Sequence, residues 1–288
     1  MDIKQKLFLI KEISERLSSE GYPIIDTTLE HFKLPTYERW DGTVANYIIN
    51  SLRSAPDNAL LSIAKSFNIE TEEYILFDPS FWRPNHFKLF LSHNSSIKSK
   101  ITIVRDELFN YGITSFVAHD DIEPTKEWQT EIELALKTMN ALVAFITTDF
   151  HTSNWTDQEI GYALGTNKLV IPIKIEHDPY GFISKNQALQ GKGKEPRVIS
   201  REIFNILLKH EKTNETMNDC LVNKFENSSS FSEAHANYEL LSKISIIENH
   251  LLKRISKALI NNYQISKAYG LPDKIASLLK KHGYKKNK

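Results

Sequence analysis

Four short apolar runs punctuate the middle of the chain: "FKLFLSH", "ITSFVAHDD", "ALVAFITTD" and "KLVIPIKI". They begin at Phe87, Ile113, Ala141 and Lys168, that is 26, 28 and 27 residues apart. Between them the hydrophobic period changes from strand-like to helical. "IKSKITIVRDELFNYG" puts Ile97, Ile101, Val104 and Leu108 on one stripe and stops at Gly112; "EWQTEIELALKTMN" does the same with Trp128, Ile132, Ala135 and Met139. A strand followed by its helix needs about this much chain, and right-handed crossovers then build a parallel sheet covered on both faces. Strands that are apolar throughout fit burial on both sides. The expected class is α/β, a parallel sheet flanked by N-terminal and C-terminal helical segments.

The flanks have a different texture. Over residues 1–80, "IKQKLFLIKEISERL" carries Leu7, Ile10, Ile13 and Leu17 at helical spacing and closes at Gly21. Three shorter helix candidates follow, "DTTLEHF", "GTVANYIINSL" and "PDNALLSIAKSF", the last opening on Pro56-Asp57. Such a cluster suits an accessory module, partner-binding or winged-helix-like. "DPSFWRPN" reads as a packed linker. The sheet domain is expected over 86–200, and a helical region over 201–288. There, the polar stretch from "NETMNDC" to "NSSSFSE" reads as a loop. A long helix is expected across about 234–262, where Leu240, Ile244, Ile247, Leu251, Ile255 and Leu259 recur at threes and fours. That stripe serves either as an oligomerisation seam or as a face packed back onto the sheet domain; spacing does not choose between them.

Charge narrows the function classes. Lys+Arg and Asp+Glu both number 36. A neutral chain has no global electrostatic footprint, so neither direct nucleic-acid binding nor a membrane surface is expected. The basic end "KKHGYKKNK" reads as a solubilising, frayed terminus. Cys220 is the single cysteine, which excludes an intramolecular disulfide and a cysteine zinc site and suits a reducing compartment. "MDIKQKLFLIKEISERL" is too charged for a signal peptide, and no apolar run reaches membrane-spanning length. A cytoplasmic location is expected.

Ligands of open parallel sheets bind beyond the carboxyl ends of the strands. Here those ends are "SHNSS", "HDDIEPTKEW", "TTDFHTSNW" and "EHDPYGF". In "SNWTDQEIGYALG", Ser153 or Asn154 is placed to cap a helix with Asp157 in its first turn. Trp155 and Glu159, four apart, share a face that continues to Ala163 beside Ile160 and Leu164. Spacing leaves Glu159 open between a partly exposed surface acid and a catalytic carboxylate at the edge of an apolar stripe. "SHNSSIKSK" lacks the glycines of a dinucleotide fingerprint or P-loop; Lys98 and Lys100 there are either pyrophosphate contacts or a solvated face. Asp120, Asp121 and Glu123 form either a Mg²⁺ or phosphoacceptor pocket or an acidic loop. A receiver-type phosphoacceptor site is matched only loosely, by Asp149 and Lys174. His86, His93, His119, His151 and His177 show no short ligand spacing, and no metal site is expected.

The stretches "FKLFLSHNSSIKSKITIVRDELFNYGITSFVAHDDIEPTKEWQTEIELAL" and "ALVAFITTDFHTSNWTDQEIGYALGTNKLVIPIKI", about residues 86–185, resemble the bacterial TIR domain family. "FLSH", the acidic "HDDI...W" loop, Ser153-x-Trp155-x-x-x-Glu159 and "VIPI" carry the resemblance together. It implies a flavodoxin-like sheet and an NAD⁺ glycohydrolase or cyclase that cleaves the nicotinamide–ribose bond. NAD⁺ is then substrate, and no cofactor or metal is required. Activation by assembly in antiphage immunity is implied too, with self-association through the TIR domain and a defence-system partner protein; a contribution of the C-terminal helix to self-association is expected from its apolar stripe alone. By position, Glu159 falls on the catalytic glutamate, with Ser153 and Trp155 just before it. Asp120, Asp121 and Trp128 fall on the loop beside the nucleotide, Trp128 stacking on a base or nicotinamide ring. Ser92, His93 and Asn94 line the same cleft. This chain has His93-Asn94 where an aromatic or arginine is common, and Pro124-Thr125 where a glycine is common. Two other classes stand beside this one: a non-catalytic TIR interaction or scaffold module, and a nucleoside-processing transferase of similar fold.

Overall fold

Up to residue 69 the described residues form four helices: α1 (Ile3–Leu17), α2 (Tyr22–His31), α3 (Val44–Leu52) and α4 (Asp57–Ser66). This computed structural model describes the chain except residues 1–2, 38, 70–78, 80, 118–127, 154, 186 and 285–288; the side chains of 3–5, 58 and 128 also lie outside the described set. Two compact units result, Met1–Phe77 and Asp78–Lys288. In the first, α1 buries Leu9, Ile10, Ile13 and Leu17, whereas Leu7, expected inside, is 60% exposed. Tyr47 of α3 is buried beside them, and its hydroxyl donates to Asp26 of α2 at 2.5 Å. Burial, then this bond, pushes the Tyr47 phenol up to about 12.

In the second unit the four apolar runs become β1 (Phe87–Ser92), β2 (Ile113–Phe116), β3 (Ala141–Ile146) and β4 (Leu169–Lys174). A two-residue β5 (Leu189–Gln190) completes a parallel sheet in the order β2-β1-β3-β4-β5. This is the expected flavodoxin-like α/β class. The helices between the strands are α5 (Lys98–Phe109), α6 (Trp128–Thr138) and α7 (Thr156–Gly165), and α8 (Pro196–Lys209) follows β5. The pleat sends alternate residues to opposite faces. Phe87, Leu89 and Leu91 pack with Ile101, Val104 and Leu108 of α5 and with Ile199, Ile203 and Phe204 of α8. Phe90 and Phe116 pack with Ile132 and Ala135 of α6 and with Ile160 and Ala163 of α7. From the "DPSFWRPN" segment Trp82 joins this second face: it is buried there and its indole N–H donates to Thr138 Oγ1 at 2.7 Å.

The short edge strand β5 was not legible in the pattern, and it is held close. A Cβ on Gly191, just after it, would stand 2.5 Å from Ile173 Cγ2 and 2.8 Å from Ile175 Cδ1. Both contacts belong to β-branched side chains that cannot swing aside cheaply. Gly191→Ala is expected to destabilise the chain by about 1–3 kcal/mol, the usual cost of overpacking. Chemical denaturation of the two forms checks this, and an unchanged midpoint would contradict it.

The C-terminal region differs from the expectation in two ways. The stretch read as a loop contains α9 (Asn214–Glu226) and the start of α10 (Phe231–Leu241). Polar residues face outward while Met217, Leu221, Val222 and Phe225 are buried, so helical period prevails over polar composition. The break falls only at the serines. Ser230 Oγ accepts from the Glu233 N–H, and Glu233 Oε2 accepts from the Ser229 N–H. Second, the long helix expected over 234–262 is interrupted. α10 ends at Leu241 and α11 (Asn249–Asn261) begins afresh, followed by α12 (Tyr263–Ser266) and α13 (Leu271–Lys281). Ile244, Ile247, Leu251 and Ile255 are buried in the cluster that includes the sheet's α5/α8 face. The stripe is therefore part of this chain's own core and not an intermolecular seam. Arg254 of α11 ties the layer to α9, with Nη1 2.6 Å from Asp219 and Nη2 2.6 Å from Glu226.

Candidate active site

The strand order reverses between β1 and β3. From β1 the chain crosses by α5 to β2 on one side; from β3 it crosses by α7 to β4 on the other. At such a switch point the loops leaving the two strands part, which opens a crevice at their carboxyl ends. Ser92 is the last residue of β1, paired in register with Ala144 of β3. It lies on the α6/α7 side of the pleat with Phe90.

On that side α7 buries Thr156, Glu159, Ile160 and Ala163, the spacing of a single inward stripe. Glu159 is thus within the apolar stripe rather than at its edge. It is 4% exposed, and Ser92 Oγ, 1% exposed, donates to its Oε2 at 2.5 Å. Burial pushes the Glu159 carboxyl up from 4.5 to about 7, while the Ser92 bond pulls the other way. A carboxyl raised mainly by desolvation at a ligand-binding sheet end is where catalytic acids and bases are found.

The start of α7 is built differently from the expected side-chain cap. Trp155 occupies the cap position, half-buried, and its carbonyl accepts from the Glu159 N–H at 2.9 Å. Ser153 Oγ accepts from the Trp155 N–H at 3.3 Å, so it shapes the turn into the helix. Asn154 lies outside the described residues. The buried Thr156 Oγ1 donates to the Phe150 carbonyl at 2.7 Å, pinning the 3-10 turn Phe150–Thr152 beneath. Sequence reasoning missed Thr156 and a second pair: the Tyr180 hydroxyl donates to Asp157 Oδ1 at 2.6 Å. Burial first, then Asp157, holds the Tyr180 phenol well above its ordinary value. The "EHDPYGF" strand end signalled this region, although no spacing links Tyr180 to Asp157.

After β1, His93 Nδ1 donates to the Leu91 carbonyl at 2.9 Å. Asn94 Oδ1 accepts from the Ser96 N–H at 3.0 Å, and its amide donates to the Asp149 carbonyl at 3.2 Å. Asn94 thereby ties the loop after β1 to the loop after β3 across the switch point. Ser92, Asn94, Ser153, Trp155 and Glu159 are placed around one strand-end region. Asp120 and Asp121 lie outside the described residues; Trp128 opens α6, with its side chain outside them. Lys174, weighed as a receiver-type lysine, pairs instead with Asp178 at 2.6 Å. Among the described residues no three His, Cys, Asp or Glu side chains converge on a metal-sized site. No described helix is long and apolar enough to cross a membrane.

The raised Glu159 carboxyl makes a stability prediction. Between 4.5 and about 7 the folded chain holds this proton more tightly than the unfolded chain. Stability from this group is therefore full below the unfolded value and falls as pH rises through the window. The loss amounts to on the order of 3 kcal/mol at about 1.4 kcal/mol per unit. Glu159→Gln, neutral at every pH, is expected to melt higher than the parent near pH 8, with the gap closing near pH 5. Calorimetry at the two pH values decides it; a gap of equal size at both would contradict the assignment.

No curated protein matches the chain. Among solved structures, the TIR domain of the Toll-related receptor TRR-2 from the lower metazoan Hydra magnipapillata is 20% identical, covering 41% of this chain and 95% of that one at a TM-score of 0.35. The sequence model of the TIR domain family matches residues 89–198, from β1 into α8. The chain carries a TIR domain over residues 89–198.

Proposed function

We propose that this chain cleaves the nicotinamide–ribose bond of NAD⁺, as a glycohydrolase or cyclase, with Glu159 as the catalytic carboxylate. Assembly of copies switches the activity on, in a bacterial defence setting against phage. The observation that carries the reading is the position of Glu159, an acid buried in an apolar helix stripe at the switch point of the sheet. The TIR domain match over 89–198 supports it.

The bond to be broken explains why one acid suffices. Ordinary glycoside hydrolysis uses two carboxyls, because the departing alkoxide must be protonated. In NAD⁺ the nicotinamide nitrogen already carries positive charge. When its bond to the ribose C1′ breaks, the electron pair goes to that nitrogen and nicotinamide leaves neutral. Positive charge develops instead on the ribose. An ionised Glu159 stabilises that cation, or captures it briefly as an ester. Water then adds at C1′ and loses a proton to give ADP-ribose, or a nucleophile of the same molecule closes a cyclic isomer.

The test is to incubate the purified chain with NAD⁺ and follow free nicotinamide, with Glu159→Gln alongside. Equal signal from both forms rejects Glu159 as catalyst. Silence from both, at high concentration and with a crowding agent, favours the interaction-module reading. Adding a nucleoside and a free base exposes transferase activity.

A further inference from the structure

We propose that Ser92 is a positioning residue, whose hydroxyl holds one oxygen of Glu159 in place instead of meeting the ribose. This rests on the reading of Glu159 as the catalytic carboxylate, and it reassigns a residue that the resemblance places on the substrate. Ser92 Oγ donates to Glu159 Oε2 at 2.5 Å, across 67 residues of sequence, with both side chains almost wholly buried. That length lies within the range of a direct hydroxyl–oxygen hydrogen bond. A hydroxyl has one proton to give, and here it is spent on the carboxylate. The anchor is rigid as well. Ser92 ends a central strand whose backbone is paired to β3, so the donor's position is set by the sheet and not by a mobile loop.

Nothing else in the described residues performs this service. The titratable groups on the elements packed against α7 are Lys88 of β1, Glu131, Glu133 and Lys137 of α6, Lys174 of β4 and His151 of the 3-10 turn. Asp157 and Tyr162 lie on α7 itself, and His93 follows Ser92. Among the described residues, burial and the Ser92 bond are the influences that act on the Glu159 carboxyl, and they oppose one another. Ser92 is thus what favours the ionised form in a setting that otherwise favours the neutral acid.

The experiment uses the full chain with ¹³C-labelled glutamate carboxyls and no substrate, the Glu159 signal being assigned by its loss in Glu159→Gln. In Ser92→Ala the Glu159 midpoint is expected to rise by about one pH unit. Ser92→Cys keeps the shape but donates weakly, and it is expected to raise the midpoint too. It also carries the test if the alanine variant fails to fold. With NAD⁺, the acid limb of the kcat/KM profile should move up by the same amount, about tenfold lower activity well below the midpoint, with KM at high pH unchanged. Midpoints equal to the parent's overturn the proposal, as does a shift in the alanine variant alone, which would report lost volume. A raised KM with an unmoved midpoint returns Ser92 to the substrate and overturns it as well. Because the titration is read without substrate, a parent chain silent on NAD⁺ overturns the proposed function and not the Ser92–Glu159 coupling.

Discussion

Glu159→Gln is expected to release nicotinamide from NAD⁺ at least ~10²–10³-fold more slowly than the parent chain, the loss typical when one group aimed at developing charge is removed. The amide keeps the volume and still accepts the Ser92 hydroxyl, so fold and nucleotide affinity should survive. What disappears is the negative charge facing a ribose that turns cationic. The loss should therefore fall on kcat more than on KM. The parent's pH profile carries the same signature. The carboxyl must be ionised to act, and burial holds it near pH 7 in the free protein. The kcat/KM profile should climb about tenfold per pH unit up to that point and flatten above it. A bound nicotinamide cation favours the ionised form, so the limb in kcat should lie lower than the limb in kcat/KM. Stopped-time assays with chromatographic detection of nicotinamide measure all of this. A flat profile from pH 5 to 8, or an active Gln variant, would contradict the role given to Glu159.

Ending the chain at Ser200 is expected to abolish folding of the sheet unit, whereas residues 78–288 should fold and melt cooperatively. The cut runs through α8, which spans Pro196–Lys209. It removes Ile203, Phe204 and Leu207, each fully buried against the α5 face of the sheet. Losing a side chain of this kind costs about 2–5 kcal/mol. Three of them already rival the ~5–15 kcal/mol that holds a whole domain together. The cut also strips away α9 to α13, leaving Phe87, Leu89, Leu91 and their neighbours on α5 facing water. Soluble yield, circular dichroism and dye binding to exposed apolar surface distinguish the two pieces. A 78–200 piece as stable as 78–288 would show that the C-terminal helices merely ride on the sheet.

Legibility in the sequence followed the strength of each physical signal. Strands β1 to β4 and helices α5 to α7 could be read because burial on both faces demands long apolar runs at regular spacing. β5 could not, since two residues make no pattern and its place is set by the close approach of Gly191 to Ile173. α9 was hidden by its asparagines, threonine and acids; only its inward residues, from Met217 to Phe225, carry the helical period. The apolar stripe from Leu240 to Leu259 was visible as a stripe, yet the break after Leu241 and the partner it buries were not. At the site, Glu159 was singled out by its helix face and strand-end position and then by the family resemblance, Ser92 by the resemblance alone. Their bond was beyond sequence reasoning, because it depends on which strands are neighbours in space. The Asn94 amide reaching the Asp149 carbonyl is a contact of the same kind.

The reversal of strand order has a mechanical meaning. Ser92 and Asn94 belong to the half that winds toward β2, whereas Glu159 and Asp149 belong to the half that winds toward β4. Two hydrogen bonds thus staple the halves where they diverge. Under the proposed function they also keep Glu159 in step with the end of β1, so a contact that shifts one half carries the carboxyl with it.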